Sequence, residues 1–137
     1  MPTNPNLNID PAVVYSETFV GTFAGTCLAA GLTKTLTVNA ILKDGIVTLN
    51  LPALTSADAG AGANSLITMT GLTSAFWPAA EAYAFPAVNT NATPAVGRVT
   101  ITAAGVVTFG ADILGTATFD NAAAAKGIYK QTVKYSA

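Results

Sequence analysis

The chain has 137 residues, the length of one domain of common size. Only 9% of the residues are charged, against roughly 25% in an average soluble protein, while 51% are hydrophobic and the formal net charge is −1. Histidine is absent, which excludes imidazole general bases and His-ligated metal sites. The single cysteine, Cys27, excludes an intrachain disulfide and a Cys-rich zinc site. Six Lys and Arg, scattered from Lys34 to Lys134, make no basic face, so nucleic acid is not an expected partner. Every apolar stretch is interrupted within a few positions by Thr, Gly, Asn, Pro or a charge. None approaches the roughly 20 residues of a spanning helix, so membrane insertion is not expected. The first residues also lack the basic start and apolar run of a secretory signal.

Residues 1–11 hold Pro2, Pro5 and Pro11 among three asparagines, with Leu7 and Ile9 as isolated apolar positions. They read as an extended N-terminal arm outside the core, followed by one domain over 12–137. Val13 to Phe23 reads as a strand with Val13, Tyr15, Phe19 and Phe23 on one face. From Lys34 to Leu42 the apolar residues Leu36, Val38, Ala40 and Leu42 alternate with more polar ones, the period of a half-buried strand. Asp44-Gly45 then predicts a tight type I′ turn, in which both central residues need positive φ. Ile46–Leu51 is the return strand, with Val47, Leu49 and Leu51 inward and Pro52 ending it.

Thr55–Asn64 reads as a loop. It follows a strand but has neither the lysine nor the helix of a phosphate-binding loop. Ser65–Thr70 reads as another strand, and Pro78, Pro86 and Pro94 punctuate the segment after it. Further strands are expected over Gly97–Ala103, Val106–Gly110 and Ile128–Tyr135. Ala122–Ala125 is long enough for at most one helical turn. Short strands of Thr, Val, Ile and Phe between Gly, Pro and Asn breaks predict an all-β fold, a single antiparallel β-sandwich of jelly-roll type.

Chemistry-bearing patterns are sparse. The carboxylates Asp10, Glu17, Asp44, Asp58, Glu81, Asp112 and Asp120 are dispersed, so a glycosidase pair would have to be assembled by the fold. Serine and threonine abound, but no motif supplies a base for a nucleophile. Cys27 reads as a small buried hydrophobe. No cofactor or metal site is expected, and the chain reads as non-enzymatic. The aromatic segment Phe76-Trp77-Pro78 with Tyr83 and Phe85 admits two readings. Trp77 and Tyr83 are stacking platforms for a sugar ring, or they plug the core or a subunit contact.

The order of motifs carries a resemblance. Gly45-Ile46-Val47-Thr48-Leu49-Asn50-Leu51-Pro52, then Ile67-Thr68-Met69-Thr70-Gly71-Leu72, then Phe76-Trp77-Pro78-Ala79 and Tyr83-Ala84-Phe85-Pro86, resembles the small C-terminal β-domain of bacteriophage tail-fibre and tail-spike receptor-binding proteins. Gly97-Arg98-Val99-Thr100-Ile101, Val106-Val107-Thr108-Phe109 and the closing Val133-Lys134-Tyr135 fit the same pattern, which covers about residues 15–137. The resemblance implies a virion-surface β-sandwich head that forms a homotrimer and touches a host cell-surface glycan or protein. On that reading the arm, through Pro2, Pro5, Leu7, Ile9 and Pro11, docks on another virion structural protein. A compact body without a fibrous shaft also fits a capsid decoration protein that stabilises the shell.

Overall fold

The computed structural model describes residues 14–28, 33–60, 63–122 and 124–137; the arm expected over 1–11 lies outside the described residues. Strand β1 (Tyr15–Ala24) pairs antiparallel along its length with β2 (Thr33–Lys43). The chain then turns through Asp44 and Gly45, at φ 52° and 77°, into β3 (Ile46–Leu51). This is the type I′ hairpin the Asp-Gly pair requires. After Pro52 come β4 (Leu54–Ser56), β5 (Ile67–Thr70), a 3-10 turn (Ser74–Phe76), β6 (Ala82–Ala84), β7 (Ala87–Thr90) and β8 (Thr93–Val96). The last strands are β9 (Arg98–Ile101), β10 (Val107–Gly110), β11 (Lys126–Ile128) and β12 (Gln131–Ser136).

Two antiparallel sheets result, one in the order β12-β3-β2-β1-β5-β10-β9-β6 and one in the order β4-β11-β7-β8. Each strand of the smaller sheet prolongs a strand of the larger one past a short break. β4 prolongs β3 beyond Pro52-Ala53, β7 prolongs β6 beyond Phe85-Pro86, β8 leads into β9 through Gly97, and β11 leads into β12 through Tyr129-Lys130. Within the larger sheet the edge strands β12 and β6 lie side by side without pairing, while their prolongations β11 and β7 are hydrogen-bonded. The architecture is therefore an all-β, nearly closed antiparallel sandwich of jelly-roll type.

The strand alternation fills the interior. Phe19 lies opposite Val38, and Ala40, Leu49 and Val133 form one row across three strands. Phe23, Met69, Val107 and Ile101 form a second row, and Ile67, Phe109, Val99 and Ala84 a third. Nearly all of these side chains are fully buried, each contributing on the order of 1.5–3 kcal/mol when large and apolar. The 3-10 turn stoppers the end of the sandwich where β1 begins and β12 ends. Phe76 is buried, its ring stacks on Tyr15 at 5.2 Å between centroids, and its carbonyl accepts the Tyr135 hydroxyl at 2.7 Å. At the opposite end the buried Lys126 ammonium donates to the carbonyls of Asp58 and Asn121, both at 2.7 Å, tying two loops together.

The seam between β12 and β6 is pinned at its upper end by one side chain. The Gln131 amide accepts from Ala87 N–H at 2.7 Å and donates to the carbonyls of Ala87 and Tyr129, both at 2.8 Å, imitating the next rung of the β11–β7 ladder. Pro86 stands just beyond and has no N–H to offer, so backbone pairing stops there.

Several elements differ from the sequence expectations. The final strand is divided into β11 and β12, and Thr55–Asn64 begins with β4. The proline-punctuated stretch holds β6, β7 and β8, because Asn91 and Ala92 adopt φ 53° and 64° and make a hairpin turn without glycine. Pro94 is accommodated because β8 is an edge strand. The Ala122–Ala125 segment holds turns and bends at its described positions, with no helix. Replacement of Gln131 by Ala removes three hydrogen bonds and leaves the Ala87 N–H without its partner, while the Ala87 carbonyl keeps the Tyr129 N–H at 3.3 Å. Urea unfolding is expected to show a loss of about 1–3 kcal/mol, with Gln131→Glu no better than Ala because a carboxylate cannot donate to the two carbonyls.

Candidate binding face

The outer wall of β6, β8 and β9 carries exposed side chains that the core does not use, Tyr83, Phe85 and Val96 among them. Antiparallel register sets Tyr83 opposite Thr100, and Phe85, Val96 and Arg98 follow on the same outward parity. The Arg98 guanidinium lies over the Tyr83 ring, 4.3 Å from its centroid, a cation–π contact. Its other face is covered by Gly115. A Cβ there would stand 2.6 Å from Arg98 Nε, and the residue's φ of 73° is one that L side chains rarely adopt, so glycine is required on both counts.

The turn that delivers Gly115 is built by Asp112. One carboxylate oxygen accepts the N–H groups of Thr116 at 2.9 Å and Ala117 at 3.0 Å, and the Gly115 N–H donates to the Asp112 carbonyl at 3.0 Å. Donation from Ala117 above all, opposed by partial desolvation and helped by the Thr116 and Gly115 N–H groups, holds the Asp112 carboxyl below the usual range. The same turn exposes Ile113 and Leu114, and Phe85 and Val96 are likewise more than half exposed.

Tyr83 is oriented at its far end by Glu81, whose carboxylate accepts the hydroxyl at 2.5 Å. That hydrogen bond, then the carboxylate's charge and some desolvation, raise the Tyr83 pKa, while Arg98 opposes the shift. Arg98 Nε is buried without a hydrogen-bond partner. Together these residues form an apolar and aromatic surface around a guanidinium. Such a surface suits a ligand that offers an apolar ring face beside a carboxylate or an acceptor hydroxyl.

Of the two aromatic residues singled out in the sequence, only Tyr83 belongs to this face. Trp77 donates its indole N–H to the Leu72 carbonyl at 2.8 Å and lies so close on Gly105 that a Cβ there would stand 2.0 Å from Nε1. It is 39% exposed and locks the loop before β6 to the turn after β9. Phe85 was visible as part of the aromatic segment. Arg98 and the Asp112 turn were not, since only the strand register brings them beside Tyr83.

Three further carboxylates accept hydrogen bonds on separate elements. Glu17 accepts the Thr73 hydroxyl, Glu81 accepts Tyr83, and Asp120 accepts the Ala122 N–H at 2.8 Å. Among the described residues no group of three or more His, Cys, Asp and Glu could hold a metal ion. Cys27 is fully buried, as expected of a small hydrophobe.

Neither a family profile nor a curated protein sequence matches the chain. Among solved structures, the crystal structure of a reovirus attachment protein, sigma1, in complex with alpha-2,3-sialyllactose is similar with a TM-score of 0.47 and 10% identity. The similarity covers 90% of this chain and 66% of that one.

Glu81→Gln removes the charge that opposes Tyr83 ionisation, so the Tyr83 transition moves to lower pH. Arg98→Met moves it to higher pH. Ring-resolved NMR of Tyr83 followed through an alkaline titration reads both shifts apart from the signals of the other three tyrosines.

Proposed function

We propose that the chain is a non-enzymatic structural protein of a virus particle, a homotrimeric fibre or spike head that attaches to the host surface through the Tyr83–Arg98 face. The observation that carries this reading is the exposed cluster of Tyr83, Phe85, Val96, Ile113 and Leu114 around an under-bonded Arg98. Contiguous exposed apolar surface of this kind marks interaction sites. The motif order from Gly45 to Tyr135, similar to bacteriophage tail-fibre heads, supports the narrower assignment to a phage appendage on the virion surface, assembled in the host cytoplasm. A chain with 9% charged residues also has little like-charge repulsion to overcome when subunits meet. A host-surface glycan fits the face chemically, its ring stacking on Tyr83 and Phe85 and its acceptors meeting Arg98.

The double substitution Tyr83→Ala with Phe85→Ala tests the face. Both side chains are exposed, so the melting temperature is expected to hold while binding to host cells or to a glycan array weakens about tenfold, two aromatic contacts of about 0.5–1.5 kcal/mol each. Binding that survives unchanged would overturn the assignment of this face. Mass measurement in solution is expected to give three copies per particle. Electron microscopy of virions is expected to place the protein on a tail fibre or spike, whereas a regular lattice of capsid positions would establish the shell-stabilising reading instead.

A further inference from the structure

β4 pairs with β11 in the same register in which β3 pairs with β12, Leu54 facing Ile128 and Leu51 facing Gln131. One two-stranded ribbon therefore runs through both sheets. Carried across the break, that register sets Pro52 opposite Lys130, and the β2–β3 register sets Thr37 beside Pro52. Pro52 has no N–H for the ladder, and the ribbon leaves the larger sheet there. At this break the outer wall carries a groove of about 560 Å³, lined by Thr37, Asn39, Asn50, Pro52, Lys130 and Thr132.

The two sides of the groove differ chemically. One is a side-chain row ordered by its own hydrogen bonds, the Thr132 hydroxyl donating to Asn50 at 2.7 Å and the Asn50 amide to Asn39 at 2.8 Å. These bonds fix which way both amides point, and they leave the second Asn50 N–H and the Thr132 lone pairs for a ligand. The other side offers the apolar Pro52 ring and the exposed Lys130. No carboxylate lines the groove, and Lys134, on the same outward parity of β12, adds a positive charge about 13 Å along the strand. Asn50 and Lys130 stand diagonally across β3 and β12, about 7–8 Å apart, the span of a pyranose ring with its exocyclic group.

We propose that this groove is a second ligand site, for a saccharide that carries a carboxylate. The apolar face of the sugar rests on Pro52, its hydroxyls meet the Asn50 amide and the Thr132 hydroxyl, and its carboxylate meets the Lys130 ammonium. A simple anion would use the ammonium and leave the ordered amide row idle, whereas adjacent sugar hydroxyls, each donor and acceptor, match that row. The site is separate from the Tyr83–Arg98 face, which lies on β6, β8 and β9. Neither its occupant nor its test depends on that face or on the trimer.

Backbone amide NMR of the full chain, titrated with disaccharides ending in a hexuronate or in sialic acid and with their neutral counterparts, tests the site. Acidic members are expected to shift the signals of Thr37, Asn39, Asn50 and Thr132 with millimolar affinity that falls as salt is raised, and neutral members to bind about tenfold more weakly. Lys130→Met, at an exposed position, is expected to keep the melting temperature and to bring the acidic members down to the neutral level. Tyr83→Ala with Phe85→Ala is expected to leave the groove shifts as they are, which separates this site from the other face. No shift in the groove with any acidic member overturns the proposal. Equal affinity in the parent and in Lys130→Met overturns it too, and leaves the β12 lysines the lesser part of keeping a strand edge from pairing with other chains.

Discussion

Ring closure governs this molecule. A sheet of eight strands has two edges, and each presents backbone donors and acceptors that must be paired, covered or left to water. Here the edges meet only partly. The three-residue β11–β7 ladder joins them in the smaller sheet, and the Gln131 amide adds one further rung at Ala87. Core filling depends on this closure, because the inward rows from Phe23 to Ile101 and from Ile67 to Ala84 run toward β6 and need the β12 side to complete the enclosure. The end stopper depends on it too, since the Tyr135 hydroxyl reaches the Phe76 carbonyl from β12. Where Pro86 withdraws its donor the backbone pairing of the two edges ends, and β12 and β6 continue side by side without a ladder.

The low charge has its counterpart on the outer wall. A row of side-chain hydrogen bonds crosses four strands, with Thr132 donating to Asn50 at 2.7 Å, Asn50 to Asn39 at 2.8 Å, and Asn39 at 3.4 Å to Thr18. Elsewhere Thr68, Thr108 and Thr100 occupy consecutive strands in register. Hydroxyls and amides keep the wall wetted without long charged side chains, and β-branched threonine suits the pleated backbone. Such a wall also desolvates at lower cost than a charged one when another surface covers it. The composition that set the chain apart from an average soluble protein is thus distributed according to the strand alternation: apolar residues inside, threonine and asparagine outside.

Legibility in the sequence followed the locality of the signal. The Asp44-Gly45 hairpin and the alternation from Leu36 to Leu51 depend on residues a few positions apart, and both appear where the pattern places them. The Asn91-Ala92 turn was hidden because alanine at positive φ has no compositional mark, and with it β7 and β8 were hidden behind Pro86 and Pro94. The division of the last strand at Tyr129-Lys130 answers a break at Phe85-Pro86 in a distant part of the chain, which no local pattern records. The binding face was half legible for the same reason. Tyr83 and Phe85 lie close together in sequence, but Arg98 reaches Tyr83 through the β6–β9 pairing and Gly115 reaches Arg98 through the Asp112 turn.

Glu81 and Tyr83 belong to two adjoining surfaces. They line a shallow recess of about 380 Å³ beside Tyr135 and Ser136 of β12, and they also form the edge of the binding face, where the Tyr83 ring supports Arg98 and its hydroxyl is held by Glu81. The two surfaces are therefore contiguous, meeting at the three-residue strand β6. Because the guanidinium is clasped between that ring and Gly115, fixing the ring fixes the position of the face's one cation.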